Sequence, residues 1–222
     1  MFRYLLSSAV LLSAVPAVAQ DQPQEGRRLG GVVVTDTALD PLSIERPEDK
    51  GYKADRIVSA TRTDTPLIDV PQSVSVVTSE LIRDTAATSI ADAVRYVPGV
   101  TTAQGEGNRE TIVFRGNAST ADFFVDGLRD DIQTYRDLYN IERLEILRGP
   151  NAMIFGRGGV GGVINRVTKQ ADWERRIAGR VEAGSYDFYR GSVDLGAPLS
   201  EAVAVRLNGV YENSDSYRRH FN

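Results

Sequence analysis

The chain has 222 residues, of which 41% are hydrophobic and 25% are charged, and this ordinary globular composition argues against a wholly disordered chain. It contains no cysteine and one histidine, His220. This composition excludes disulfide scaffolds, zinc–thiolate sites, iron–sulfur clusters and cysteine nucleophiles, and argues against a Ser-His-Asp triad. The formal net charge of −4 gives no overall attraction for nucleic acid.

Residues 1–19 have the pattern of a cleavable export signal. Arg3 supplies a positive charge, residues 4–15 form an apolar run, and Ala17 and Ala19 give the small-x-small sequence of a signal-peptidase site. The apolar run is shorter than the roughly 20 residues that a membrane-spanning helix needs. We therefore predict export and cleavage after Ala19, with a membrane anchor or a buried N-terminal helix as the alternatives.

Residues 20–55 are polar and rich in turn-forming residues, and they are predicted to form a flexible arm. Within the arm, Val32, Val33, Val34 and Thr35 form an isolated β-prone tetrad. An apolar tetrad with polar flanks cannot form a sheet by itself. It is either a strand that awaits a partner or an edge strand of a nearby sheet, and the composition leaves both interpretations open.

Residues 56–171 combine short strands with short helices, which predicts an α+β domain with a mixed sheet. Strands are predicted where polar and apolar residues alternate, or where β-branched and aromatic residues cluster. These positions are Ser73–Thr78 and residues 112–114, 123–125, 144–147 and 163–168. Asp126 and Gly127 follow the third of these strands as a tight-turn dipeptide.

Two short helices are predicted after the first of these strands. Ser79 is predicted to cap a helix at residues 80–83, and Ser89 with Asp92 forms a capping-box variant that opens a second helix. The apolar face of the second helix is predicted to consist of Ile90, Ala93, Val94 and Val97. Pro98, which is followed by glycine, is predicted to end it.

From residue 172 onward the pattern changes to longer amphipathic segments. These segments are Arg176–Gly184 and residues 188–196 and 202–213. Each has an apolar face and a charged face, which is typical of transmembrane β-strands between lipid and a polar lumen, although an amphipathic sheet in water has the same pattern. Three strands cannot close a barrel, for which about eight are the minimum. We therefore interpret residues 172–222 as the first strands of an incomplete barrel and the chain as a fragment.

The Val-rich box at residues 32–35 is followed along the chain by the run 69–78 and then by the run 147–165, with short motifs at residues 96–100, 114–116 and 125–127 between the two runs. Taken together and in this order, these motifs resemble the N-terminal part of TonB-dependent outer-membrane receptors. The resemblance implies a plug domain at residues 56–171, followed by the first three antiparallel strands of a truncated transmembrane β-barrel. It also implies that the box at residues 32–35 binds TonB on the periplasmic side.

The same resemblance implies a monomeric transport receptor of the outer membrane, with no enzymatic activity, no resident metal and no permanently bound cofactor. Residues 69–73 are similar to those of siderophore receptors, and residues 119–127 and 135–139 are similar to those of catecholate-type ferric siderophore receptors. A ferric siderophore is therefore the implied transported ligand. Cobalamin or an oligosaccharide is the alternative cargo for the same class, and a soluble periplasmic binding module is the alternative from another class.

In receptors of this type three plug loops face outward and form the floor of the ligand site. By resemblance they would supply Gln104, Arg109, Ser119, Thr120, Gln133, Tyr135 and Arg136. A ferric catecholate is anionic and aromatic, so the arginines would offer charge-assisted hydrogen bonds and Tyr135 a stacking surface. The alternative is that these are ordinary solvated loop residues.

A second set of residues is expected to shape the plug itself. It consists of Arg115, Gly116, Arg148, Gly149, Pro150, Gly156, Gly158, Gly159, Gly161 and Gly162. Three of the glycines also match the dinucleotide fingerprint, but the run continues into β-branched residues 163–168 instead of a helix, which argues against nucleotide binding. The glycines are predicted to allow tight turns and close packing. Arg115, Arg148 and Arg166 are expected to face a polar lumen and pair with acidic wall residues.

Overall fold

The structure is a computed structural model that describes residues 49, 51–103, 109–120, 122–156, 159 and 161–215. The predicted export signal, the Val-rich box, Gln104 and Gly158 lie outside these described residues. In the described part of the chain, no helix is both long enough and apolar enough to cross a membrane.

The described elements follow one another along the chain as many short strands and few helices. The strands are β1 (Arg56–Ile57), β2 (Thr65–Pro66), β3 (Ser73–Thr78), β4 (Val100–Ala103), β5 (Thr111–Phe114), β6 (Asn117–Ser119), β7 (Phe123–Val125), β8 (Leu128–Arg129), β9 (Ile141–Arg148), β10 (Gly162–Thr168), β11 (Arg176–Gly184), β12 (Phe188–Ser200) and β13 (Val203–Asn213). The helices are α1 (Ser79–Asp84), α2 (Ile90–Ala93) and α3 (Ala152–Phe155), with a 3-10 turn at Leu67–Asp69.

A five-stranded mixed sheet forms the centre of the predicted plug, in the order β3-β9-β10-β7-β8. Strands β7 and β10 are parallel, and the other neighbours are antiparallel. Leu144 and Ile146 of β9 pack into one hydrophobic cluster, whereas Leu147 packs into a second. The sheet is therefore covered on both faces, which explains why residues 144–147 are all buried despite their alternating sequence.

The two predicted helix starts have different outcomes. The predicted N-cap at Ser89 is confirmed, because Asp92 N–H donates to Ser89 Oγ at 3.2 Å, and the Ser89 hydroxyl donates to Asp92 Oδ2 at 2.7 Å. Helix α1 is capped by Thr78 and not by Ser79, since Thr78 ends β3 in an extended conformation and its Oγ1 accepts from Leu81 N–H. The predicted length of the second helix is wrong, because α2 ends at Ala93 and the chain continues as turns that still bury Val97.

Residues 51–55, which the sequence assigned to the flexible arm, pack against the five-stranded sheet and α1. Thr78 Oγ1 donates to the Gly51 carbonyl at 2.8 Å, and Tyr52 Oη donates to Asp84 Oδ2 at 2.8 Å. This second hydrogen bond raises the pKa of Tyr52 and lowers the pKa of Asp84. The ordered contacts of the plug therefore begin before the predicted boundary at residue 56.

Strands β11, β12 and β13 form a separate three-stranded antiparallel sheet, which we call the C-terminal sheet. Strand β11 has the predicted bounds, but β12 continues to Ser200, through residues that the sequence assigned to a connection. Pro198 is accommodated next to a shift in the pairing register between β12 and β13. One face of this sheet exposes Ile177 and Val181, and the other carries the charged residues that contact the plug.

Two glycines join the five-stranded sheet to the smaller sheet β4-β5-β6. A Cβ atom on Gly161 would lie 2.9 Å from Phe114 Cβ. A Cβ on Gly162 would lie 2.6 Å from the Leu147 carbonyl oxygen and 2.9 Å from the Phe114 ring. This geometry agrees with the predicted role of these glycines in close packing, because any side chain here would displace backbone or ring atoms.

We expect Gly162→Ala to lower the free energy of local opening of β10 by about 1–3 kcal/mol, because the methyl group overpacks this contact. Native-state amide hydrogen exchange in the full-length protein measures this free energy. Gly191→Ala is the matched control, since a Cβ on Gly191 meets no atom within 4 Å. Equal protection of β10 in both variants would contradict the close packing.

Candidate ligand-binding site

The strand pairing of sheet β4-β5-β6 brings several candidate residues to the same end. Arg109 lies two residues before β5, and Ser119, the last residue of β6, pairs with Ile112 near the start of β5. Thr120 follows directly. Arg109 Nη1 donates a hydrogen bond to Gln133 Oε1, which brings the loop at residues 130–136 to this end as well.

Tyr135 is the aromatic side chain of this loop, and 43% of its surface is exposed. Gln133 is also exposed, and Arg109 is partly buried. The structure therefore presents an aromatic ring, an amide and a guanidinium on one loop cluster. Such a cluster can stack on an aromatic ligand and donate hydrogen bonds to an anionic one.

Arg136 does not belong to this exposed cluster, and the expectation that it contacts ligand is contradicted. Only 3% of the surface of Arg136 is exposed to solvent. Its Nε donates to Asp130 Oδ2 at 3.0 Å, and its other nitrogens donate to the carbonyls of residues 130, 132 and 134. Its guanidinium also lies 4.0 Å from the centre of the Phe123 ring. Four hydrogen bonds of the guanidinium therefore fold the loop around the Arg136 side chain.

Glu110 stabilises this site by joining two elements, and this role was not predicted from the sequence. It is 2% exposed, and its two carboxylate oxygens accept from Ala91 N–H at 3.3 Å and from Arg136 N–H at 3.2 Å. Burial raises the pKa of the Glu110 carboxyl, whereas these backbone hydrogen bonds oppose the increase. The carboxylate joins the first turn of α2 to the loop at residues 130–136, and no local motif marks it.

Two of the three arginines that were expected to pair with wall residues have partners inside the plug, whereas the third, Arg115, is exposed. Arg166 forms an ion pair with Asp130, the same carboxylate that binds Arg136. Arg148 donates to the hydroxyls of Ser73 and Ser75 and to the Pro98 carbonyl. Burial, and secondly the nearby charge of Arg115, lower the pKa of Arg148.

The loop that follows Arg148 is closed by hydrogen bonds between its own backbone groups. Gly149 N–H donates to the Gly161 carbonyl at 2.9 Å, and Asn151 N–H donates to the Gly159 carbonyl at 3.4 Å. Positive φ angles occur at Gly116, Gly149, Gly156 and Gly159, as tight turns require. Pro150 is exposed within this loop.

Two groups of charged residues join the plug to the C-terminal sheet. In one, Arg190 binds both Asp137 and Glu212. In the other, the Asp194 carboxylate accepts from Lys169 and Arg206, and Arg206 also donates to the Gln170 carbonyl. Between these contacts and α1 lies a cavity of about 340 Å³ lined by side chains of both charges.

Comparison with known proteins supports a single family. A family model described as "TonB-dependent Receptor Plug Domain" matches residues 66–163. The chain is 38% identical over 146 residues to the "Probable TonB-dependent receptor BfrD" of Bordetella pertussis, covering 64% of this chain and 20% of that protein. It is 30% identical over 218 residues to the "Catecholate siderophore receptor Fiu" of Escherichia coli, covering 96% of this chain and 28% of Fiu.

A solved structure gives the same result for the fold. The crystal structure of the siderophore receptor PiuA from Acinetobacter baumannii matches with a TM-score of 0.69 and 30% identity, over 76% of this chain and 24% of that one. The chain spans about a quarter of the length of these proteins. The plug-domain match, together with these likenesses in sequence and fold, shows that the chain belongs to the TonB-dependent receptors.

Proposed function

We propose that this chain is the N-terminal part of an outer-membrane receptor that binds a ferric siderophore and imports it with energy supplied by TonB. The observation that supports this function best is the loop cluster of Arg109, Gln133 and Tyr135, which is carried by a plug domain of this family. The likeness to a catecholate siderophore receptor supports the choice of ligand class. In this proposal the protein is a transport receptor and not an enzyme, and the ferric complex is its cargo.

The proposed ligand floor consists of Gln104, Arg109, Ser119, Thr120, Gln133 and Tyr135. A ferric catecholate would place aromatic rings against Tyr135 and negative charge near Arg109. Arg136 is assigned to the support of the floor, because its guanidinium is already surrounded by loop carbonyls and Asp130. Cobalamin or an oligosaccharide remains the alternative cargo of the class.

The C-terminal sheet is proposed to be the first part of the barrel around the plug. Its exposed face carries Ile177, Val181 and Tyr211, as a lipid-facing surface requires. Its opposite face holds buried Arg190 and Arg206 in ion pairs against the plug. In a soluble periplasmic module, the alternative, the apolar face would instead be in contact with water, which apolar residues of this size disfavour.

The proposal has three further parts. Residues 1–19 direct export, and the mature chain is a monomer in the outer membrane. The box at residues 32–35 binds TonB. Strand addition would explain the box, because main-chain hydrogen bonds provide the affinity and alternate side chains enter shallow pockets.

We expect Tyr135→Ala in the full-length receptor to weaken binding of a ferric catecholate complex by about 2- to 30-fold, because a stacking surface is lost. Tyr96→Ala is the matched control: Tyr96 is 81% exposed and precedes β4, at the end of that strand opposite to Arg109. Binding is measured by quenching of intrinsic fluorescence on titration with the complex. Unchanged affinity in a correctly folded Tyr135→Ala receptor would remove Tyr135 from the floor.

We expect Val33→Pro to abolish energised uptake and to leave surface binding of the ferric complex near that of the wild type, because proline removes an N–H that strand addition needs. Val33→Ile is the control, and it should transport normally since the backbone provides the affinity. Binding and accumulation of labelled ferric complex are measured on the same cells. Normal uptake by Val33→Pro would reject the TonB-binding assignment, and loss of both activities would favour a fixed edge strand of the plug.

A further inference from the structure

Three consecutive residues of the loop at residues 130–137 have three different environments. Tyr135 is exposed on the candidate ligand floor, and Arg136 is buried in the plug beside Asp130 and Phe123. Asp137 faces the C-terminal sheet, where its Oδ1 accepts from Arg190 Nη2 at 2.6 Å. A displacement of any one of these residues must move the other two, since only the short backbone between them separates the three contacts.

Arg190 is the part of this arrangement that lies outside the plug. It is on β12, 8% exposed, and it binds Glu212 of the neighbouring strand β13 as well as Asp137. Glu212 holds the guanidinium in place on the sheet, so Arg190 can act as a fixed anchor for Asp137. Arginine suits this role because one planar guanidinium can donate to two carboxylates at once.

Inside the plug the loop is held through Arg136, whose side chain donates to loop carbonyls and whose N–H donates to Glu110. At its C-terminal end the loop is held by an isolated bridge between Ser89 and Asp137. Asp137 Oδ1 also accepts from Tyr139 N–H at 2.9 Å, so the same carboxylate shapes the turn that leads into β9. Asp137 therefore joins the C-terminal end of the loop both to the start of β9 and to the C-terminal sheet.

We propose that Arg190 is a positioning residue for the ligand floor. Through Asp137 it fixes the loop that carries Tyr135, so the C-terminal sheet controls ligand affinity without touching the ligand. The inference about affinity rests on the proposed function, whereas the inference about loop order does not. Its consequence is that the floor is complete only when the plug and the C-terminal sheet are in contact.

The second charged group of the C-terminal sheet provides a matched control. Arg206 is 7% exposed and binds Asp194 through two hydrogen bonds of 2.8 Å. It also joins the sheet to the plug, but at the Gln170 carbonyl, which lies after β10 and not in the ligand loop. Arg206→Gln therefore removes a comparable buried guanidinium and a comparable contact between plug and sheet.

The test compares Arg190→Gln, Asp137→Asn, the double variant and Arg206→Gln in the full-length receptor. Hydrogen–deuterium exchange is first measured without ligand. We expect residues 130–137 to exchange about tenfold faster or more in both single variants, with no change there in Arg206→Gln. No change in the loop of Arg190→Gln, or an equal change in Arg206→Gln, would overturn the proposal.

Affinity for the iron(III) complex of 2,3-dihydroxybenzoate is measured second. We expect each single variant to bind about 5- to 150-fold more weakly, and the double variant to bind no more weakly than either, because both changes remove the same link. Additive losses would overturn the link through Asp137. If the wild type does not bind this probe although the exchange effect is present, the ligand assignment fails while the positioning of the loop by Arg190 stands.

Discussion

The arrangement of the ligand loops depends on one positive charge held in the plug interior, that of Arg136. A buried guanidinium is tolerated only when its charge is paired and its donors are satisfied. Asp130 provides the charge, the carbonyls of residues 130, 132 and 134 accept the remaining hydrogen bonds, and Phe123 covers one face. Meeting these requirements bends the loop into a single conformation, and that conformation leaves Tyr135 at the surface.

Around this charge, the acidic residues act as connectors between elements. Asp130 pairs with Arg166 of β10 as well as with Arg136, which links the loop to the central sheet. Glu110 links the same loop to α2 through two backbone N–H groups. Each carboxylate therefore serves two elements, so that removing it would leave donors unsatisfied on both sides.

Features that depend on near neighbours could be predicted from the sequence. The N-cap at Ser89 and the strand Ser73–Thr78 are examples, since a few adjacent residues determine each. Arg136 could not be assigned correctly, because Phe123 and Asp130 reach it only after β7 and β8 have folded back. Glu110 carries no signal at all in the sequence, since its role depends on where α2 and the loop meet. The roles of Arg109 and Tyr135 in ligand binding remain predictions.

The contact of Gly161 and Gly162 with Phe114 limits how the plug can respond to a force or a ligand. Where long side chains separate two sheets, a small displacement of one sheet is absorbed by rotamer changes at the boundary. Here there is no room for even a Cβ atom between the glycines and Phe114, so no side-chain rotamer is available to absorb the displacement. A shift of β5, which begins two residues after Arg109, must therefore move the backbone of β10 with it.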